Sequence, residues 1–281
     1  MGTSASSKGP GSGSSFDPPW LDDIELPNPE LPSSSEPQQP NEQPPNDVND
    51  NPNIPVIAPS GRFRGARLNL GSYINTGDKS SLRRSLGHYS KTGWGGAHNV
   101  AKRMRISASV GSGLFRTLQS VRDGNNPTLA DLFAKMKADN ADAYQFIDAI
   151  VENTCPSGGS LDEESCRDSV NSALSDFLNR SPDTNLSSLS DDDLWSLTAS
   201  FLGYEAFSKV QPDIGRTFEE KEVPWSERMS RLKEMREYIE AEISTQINRL
   251  RDFGEKQSSQ SLQTIIEEAI ENTFRVFEVE V

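Results

Sequence analysis

Thirteen of the chain's 18 prolines fall within residues 1–60, and that asymmetry does most to limit what the polypeptide can fold into. Proline fixes φ and offers no backbone N–H, so a stretch this rich in it sustains neither a helix interior nor a central strand. The residues beyond 60 carry only five prolines, which leaves room for long helices around one substantial core or two small ones.

Residues 1–60 are also low in complexity, first Gly/Ser-rich and then Pro/Asn/Glu-rich, as in Pro29-Glu30-Leu31-Pro32-Ser33-Ser34-Ser35. They hold too little apolar surface to offset the entropy lost on ordering, and a disordered tail is expected. Within it, Phe16-Asp17-Pro18-Pro19-Trp20-Leu21 gathers two aromatic rings and a leucine. Phe16, Pro18, Pro19 and Trp20 suit a linear motif that docks in a partner's groove, or a segment that folds back on its own domain.

Charge divides the chain again. Residues 1–60 hold one basic and nine acidic residues, residues 61–122 hold twelve basic residues and a single acid, Asp78, and residues 123–281 hold 15 basic and 32 acidic. A basic Arg/Gly-rich segment (61–122) therefore lies between an acidic tail and an acidic helical domain (123–281), hidden inside a net charge of −14. Arg62, Arg64, Arg67, Arg83, Arg84, Lys91 and Arg103 are interleaved with Phe63, Tyr73, Tyr89 and Trp94. Cations for phosphates and rings for bases are the ingredients of a nucleic-acid surface. The same cations equally suit docking on the chain's own acidic helices or on an acidic partner.

The spacing predicts a mainly α protein, a multi-helix bundle ending in a long helical hairpin. Residues 61–96 show little periodicity apart from Leu82, Leu86 and Tyr89, which share a turn-spaced face. A helical pattern runs from Ala97 to Arg122 through Val100, Met104, Leu114, Leu118 and Val121, weakened by Gly111 and Gly113. Thr128 is the expected cap of a helix bearing Leu129, Leu132, Phe133 and Met136. Asn140 is the expected start of another, through Tyr144, Phe146, Ile147 and Ile150. Ser160 and Glu163 have capping-box spacing, ahead of a buried face from Cys166 to Leu178. Ser190-Asp191-Asp192-Asp193 opens a further helix, its carboxylates complementing the positive end of the helix dipole.

Pro224 suits a helix start, and apolar residues follow at steps of three and four from Met229 to Phe253 until Gly254 stops the run. Such a helix would be about 45 Å long. It could pack against residues 260–277 or pair with a second copy of the chain. Val276–Val281 alternates and could form a short strand.

Several chemistries find no support. Gly9-Pro10-Gly11-Ser12-Gly13-Ser14-Ser15 lacks the lysine of a phosphate loop, and so does Val110-Gly111-Ser112-Gly113-Leu114. His88 and His98 have one acidic neighbour in sequence, so no metal site is expected. Cys155 and Cys166 are too few for a disulfide framework and read as two reduced thiols or a single bridge. No hydrolase signature occurs, no apolar leader precedes the tail and no stretch reaches transmembrane length. The expectation is a cytoplasmic non-enzyme with no membrane association and no cofactor.

Met1-Gly2-Thr3-Ser4-Ala5-Ser6 offers a different kind of chemistry. Removal of Met1 leaves a glycine α-amine with a pKa of about 7.7–8.0, far more nucleophilic near neutral pH than a lysine. These residues satisfy the myristoylation pattern, but no polybasic second signal follows. Together with Gly9-Pro10-Gly11 and Pro18-Pro19-Trp20, they resemble the start of the QatB family of bacterial Qat anti-phage operons. The block from Arg62-Phe63-Arg64-Gly65-Ala66-Arg67 through Leu82-Arg83-Arg84, Leu86-Gly87-His88-Tyr89 and Gly93-Trp94-Gly95-Gly96 is similar to that family too, whereas the helical remainder carries no matching motif.

The resemblance implies three partners: an ATPase (QatA), a QueC-like enzyme of deazapurine chemistry (QatC) and a TatD-like nuclease (QatD). It further implies that QatC attaches a 7-deazaguanine to Gly2 through an amide, with Thr3, Ser4, Gly9, Pro10 and Gly11 as the recognition segment. The competing expectations are a nucleic-acid-binding subunit working through residues 61–122 and a helical scaffold for the ATPase and nuclease, with self-association through the long helix.

Overall fold

A computed structural model describes residues 61–139, 143–155, 159–181, 188–254 and 261–281. The proposed tail, with Gly2, its recognition segment and the Phe16–Trp20 motif, lies outside the described residues. Every regular element among those described is helical, and all belong to one unit.

The first two helices, α1 (Arg64–Thr76) and α2 (Lys79–His88), form a tight hairpin. Gly77 makes the turn possible: its φ of 72° lies in the left-handed region that glycine adopts without a Cβ clash. Asp78 then caps α2, accepting from the backbone N–H groups of Ser80 and Ser81. The hydroxyls of Ser80 and Ser81 also donate to it, and these bonds hold its carboxyl down to about 2. Leu82, Leu86 and Tyr89 are buried as their spacing requires. The helix at 64–76 departs from the sequence reading. Ala66, Leu70, Tyr73 and Ile74 form a buried helical face, but the arginines and glycines around them dilute the period.

A π-helical turn (Tyr89–Gly93) leads to α3 (Ala97–Arg103) and α4 (Arg105–Asp123), which meet at Met104. The single helical run expected from Ala97 to Arg122 is thus broken once. Helices α5 (Pro127–Ala138) and α6 (Ala143–Thr154) follow. The cap of α5 is Asn126, whose side chain accepts from the Leu129 N–H, and Pro127 occupies the first turn in place of the expected Thr128 start. Asn140 lies outside the described residues, and Tyr144 is 71% exposed rather than part of the core.

Helix α7 (Leu161–Arg180) begins with the expected capping box of Ser160 and Glu163, and α8 (Asp191–Ile214) has its own, Ser190 with Asp193. A short α9 (Arg216–Glu219) leads to α10 (Trp225–Gly254) and α11 (Leu262–Glu278). Residues 276–278 continue α11, so the alternation toward Val281 makes no strand.

Met235, Ile239, Ile243 and Ile247 of α10 are buried, Leu232 and Leu250 are partly so, and Met229 is exposed. The helix packs on α11 and, more extensively, on α8. Its apolar stripe packs inside the chain, the first of the two arrangements its spacing offered. The crossing of α10 over α8 is close: a Cβ on Gly203 would lie 2.7 Å from the Glu240 Cβ.

Candidate functional site: the arginine and aromatic block

The basic segment does not float on the acidic helices; it shares their core. Phe63 stacks on Tyr89 with centroids 5.6 Å apart, Trp94 tilts against Phe63, and Tyr89 meets Phe274 of α11. Burial of the Tyr89 ring pushes its hydroxyl well above the usual tyrosine range, so it stays a hydrogen-bond donor. Its single proton has two acceptors in reach, the Lys209 carbonyl at 3.2 Å and the Asp213 carboxylate at 3.3 Å.

Five of the seven cations singled out in the sequence are held by the chain's own acceptors. Arg67 donates to the Asp213 carbonyl at 2.7 Å. Arg83 pairs with Glu280 at 2.8 Å and reaches the Val276 carbonyl. Arg84 bonds the Ser81 hydroxyl at 3.1 Å, 3.9 Å from Asp78. Lys91 donates to the Val281 carbonyl. Arg103 pairs with Asp213 at 2.8 Å and donates to the Tyr89 hydroxyl. Four of the five tie the basic segment to α8 or to residues 276–281, Arg83 and Arg103 through carboxylates and Arg67 and Lys91 through backbone carbonyls, while Arg84 stays within the segment.

The other two differ. Arg64 is exposed at the start of α1. Arg62 is half-buried, its guanidinium 4.3 Å from the Trp94 ring centre and 4.6 Å from that of Phe63. Among the described residues no carboxylate or carbonyl is bonded to the Arg62 guanidinium. Trp94 carries a second guanidinium, Arg103, also at 4.3 Å, but that one is committed to Asp213.

A second polar centre, one that sequence reasoning missed, lies in the interior. Glu205 of α8 is fully buried, and its carboxylate accepts from Ser107 of α4 at 2.6 Å and from Ser165 and Ser169 of α7 at 2.9 and 2.8 Å. The Cys166 thiol donates to it at 3.4 Å. The only sequence trace is an acid among the apolar residues of α8.

Burial drives the Cys166 thiol far up and raises that of Cys155 to about 11. Both cysteines are free. A polar groove of about 660 Å³ lies between α7, α8 and α10 around Arg236, which stacks on Tyr204 at 4.2 Å and pairs with Glu240 at 3.1 Å. His98 contacts Glu271. Among the described residues, no three His, Cys, Asp or Glu side chains gather to hold a metal, and no helix is long and apolar enough to cross a membrane.

These features define an all-α bundle protein with an arginine and aromatic block built into its core. The family model described as Qat anti-phage system associated protein QatB matches residues 95–277, and the chain belongs to that family. It is accordingly a component of a Qat anti-phage system. No curated protein and no solved structure gives a significant match.

Proposed function

We propose that this chain is the non-catalytic acceptor protein of its Qat system, modified at Gly2 with a 7-deazaguanine by the QueC-like partner QatC. The glycine nitrogen attacks the ATP-activated carboxyl carbon of a carboxy-deazaguanine. The amide C–N bond forms as the bond to the ATP-derived activating group breaks, and the amine's proton passes to solvent. Thr3, Ser4, Gly9, Pro10 and Gly11 guide the segment into the enzyme, and Phe16, Pro18, Pro19 and Trp20 add a docking contact. The helical bundle carries the mark to the ATPase QatA, the nuclease QatD, or both.

The observation that carries this reading is Met1-Gly2-Thr3-Ser4-Ala5-Ser6 in a QatB family member. A glycine amine without a side chain, followed by small polar residues, meets no steric barrier in an enzyme pocket. Intact-mass measurement of the chain co-expressed with QatC tests it. The expected product lacks Met1 and is heavier by one amide-linked deazaguanine on Gly2, and a bulkier residue at position 2 removes both the added mass and phage protection. A Met-less chain of unchanged mass would overturn the reading.

A further inference from the structure

We propose that Arg62, its guanidinium set against the rings of Trp94 and Phe63, is the contact for a single phosphate group, carried by a nucleotide or by the end of a nucleic-acid strand. The inference stands apart from the Gly2 reading. It begins from the division of labour in the basic block: Arg67, Arg83, Arg84, Lys91 and Arg103 spend their donors on the chain's own carbonyls, hydroxyls and carboxylates. Arg62 is fixed instead by two ring faces, at 4.3 and 4.6 Å.

Contacts to ring faces take up none of a guanidinium's five N–H donors, and among the described residues no carboxylate or carbonyl takes them either. A guanidinium held this way loses little entropy on binding and presents the paired N–H geometry that fits two phosphate oxygens. The position is secured from behind. Phe63, the next residue, is buried and stacks on Tyr89. Arg64 is exposed two residues on, and Asp78 is the only acid between residues 61 and 122.

Magnitudes separate one phosphate from a polyanion. Each phosphate neutralised by a protein contributes a slope of about −0.7 to −0.9 to log K against log salt. A contact made through Arg62, with Arg64 two residues on, engages one phosphate and gives a shallow slope. The excess of 17 acidic over basic residues in 123–281 also repels a long nucleic-acid tract. A terminal or free phosphate meets the guanidinium without running across that field.

The test uses the full chain produced without QatC, so that Gly2 is unmodified and failure here leaves the acceptor reading untouched. A short fluorescent single strand is titrated with and without a 5′-phosphate, and AMP is added as competitor. The phosphorylated strand should bind tighter, with a salt slope of about −1 to −2. Arg62→Gln should lose about tenfold or more in affinity, as expected for a lost charge-assisted contact. Arg62→Lys, which keeps the charge and loses the fork, should fall between; if the Gln variant fails to fold, the Lys variant carries the test.

Arg216→Gln is the control: Arg216 is exposed and pairs with Glu220, and the change should leave binding as it was. Competition by AMP identifies a free nucleotide as the source, and binding that AMP does not displace identifies a strand end. Equal affinity for the two strands, equal behaviour of the Arg62 and Arg216 variants, a slope of about −4 or steeper, or no binding at low salt would overturn the proposal.

Discussion

Glu205 shows how much one side chain can decide. A buried carboxylate without its hydrogen bonds is among the costliest groups a core can hold, and here four neighbours donate to it. Replacing Glu205 with Ala strands the Ser107 and Ser169 hydroxyls and the Cys166 thiol beside a cavity, and urea unfolding should register a loss of about 3 kcal/mol. The thiols give a second prediction, in pH. The folded Cys155 thiol keeps its proton to about pH 11, against 9.0 for an unperturbed one.

Between those values the folded chain binds the extra proton. Its contribution to stability is therefore complete below pH 9 and is lost as the pH rises toward 11. Burial and the Asp176 bond raise Tyr204 to about 12, in the same sense. Thermal melts should show stability falling over that window, and Cys155→Ala should flatten part of the slope. Unchanged melting from pH 8.5 to 11 would contradict the assignment.

At the scale of the element, legibility followed how local the signal was. The capping box of Ser160 with Glu163 and the helix start at Ser190 were readable because each completes its bonds within four residues, although the box that Ser190 forms with Asp193 emerged only in the structure. The stripe of α10 was readable because an uninterrupted run of isoleucines keeps its period. Helix α1 was not, since Leu70 and Ile74 acquire meaning only when α2, α8 and α9 cover them.

Nothing in the spacing showed that Gly203 marks a close helix crossing, because the partner residue, Glu240, is 37 positions away. Gly203→Ala should push α8 and α10 apart and cost about 1–3 kcal/mol, read as a lower urea midpoint with an unchanged slope. A variant at least as stable as the parent would show that the crossing has slack. For the candidate site, the sequence displayed all seven cations but not their division: which arginines are committed depends on Asp213 and Glu280, both more than a hundred residues away.

The molecule as a whole is more integrated than its charge map implies. The family match begins at residue 95, yet Leu70, Tyr73, Leu82, Leu86 and Tyr89 upstream of it are all buried. A chain starting at Gly95 should therefore uncover apolar surface on α8 and α11, bind a hydrophobic dye and lose cooperative melting. A sharp transition close to that of the parent would mean that α1 and α2 are accessory. The motifs that carried the family resemblance lie mostly in this upstream block. The match falls on the helices, where patterned apolar residues give the eye no signature to hold.

One feature of the interior reaches beyond its own energy. Helices lined only with aliphatic side chains can rotate or slide against one another at small cost, because one greasy surface resembles the next. The serines around Glu205 remove that freedom. Turning α7 by a single residue would swing Ser165 and Ser169 through about 100° and leave the acid facing hydrocarbon. The polar knot acts as a keyed joint among α4, α7 and α8, and any register that parts the serines from Glu205 forfeits its bonds.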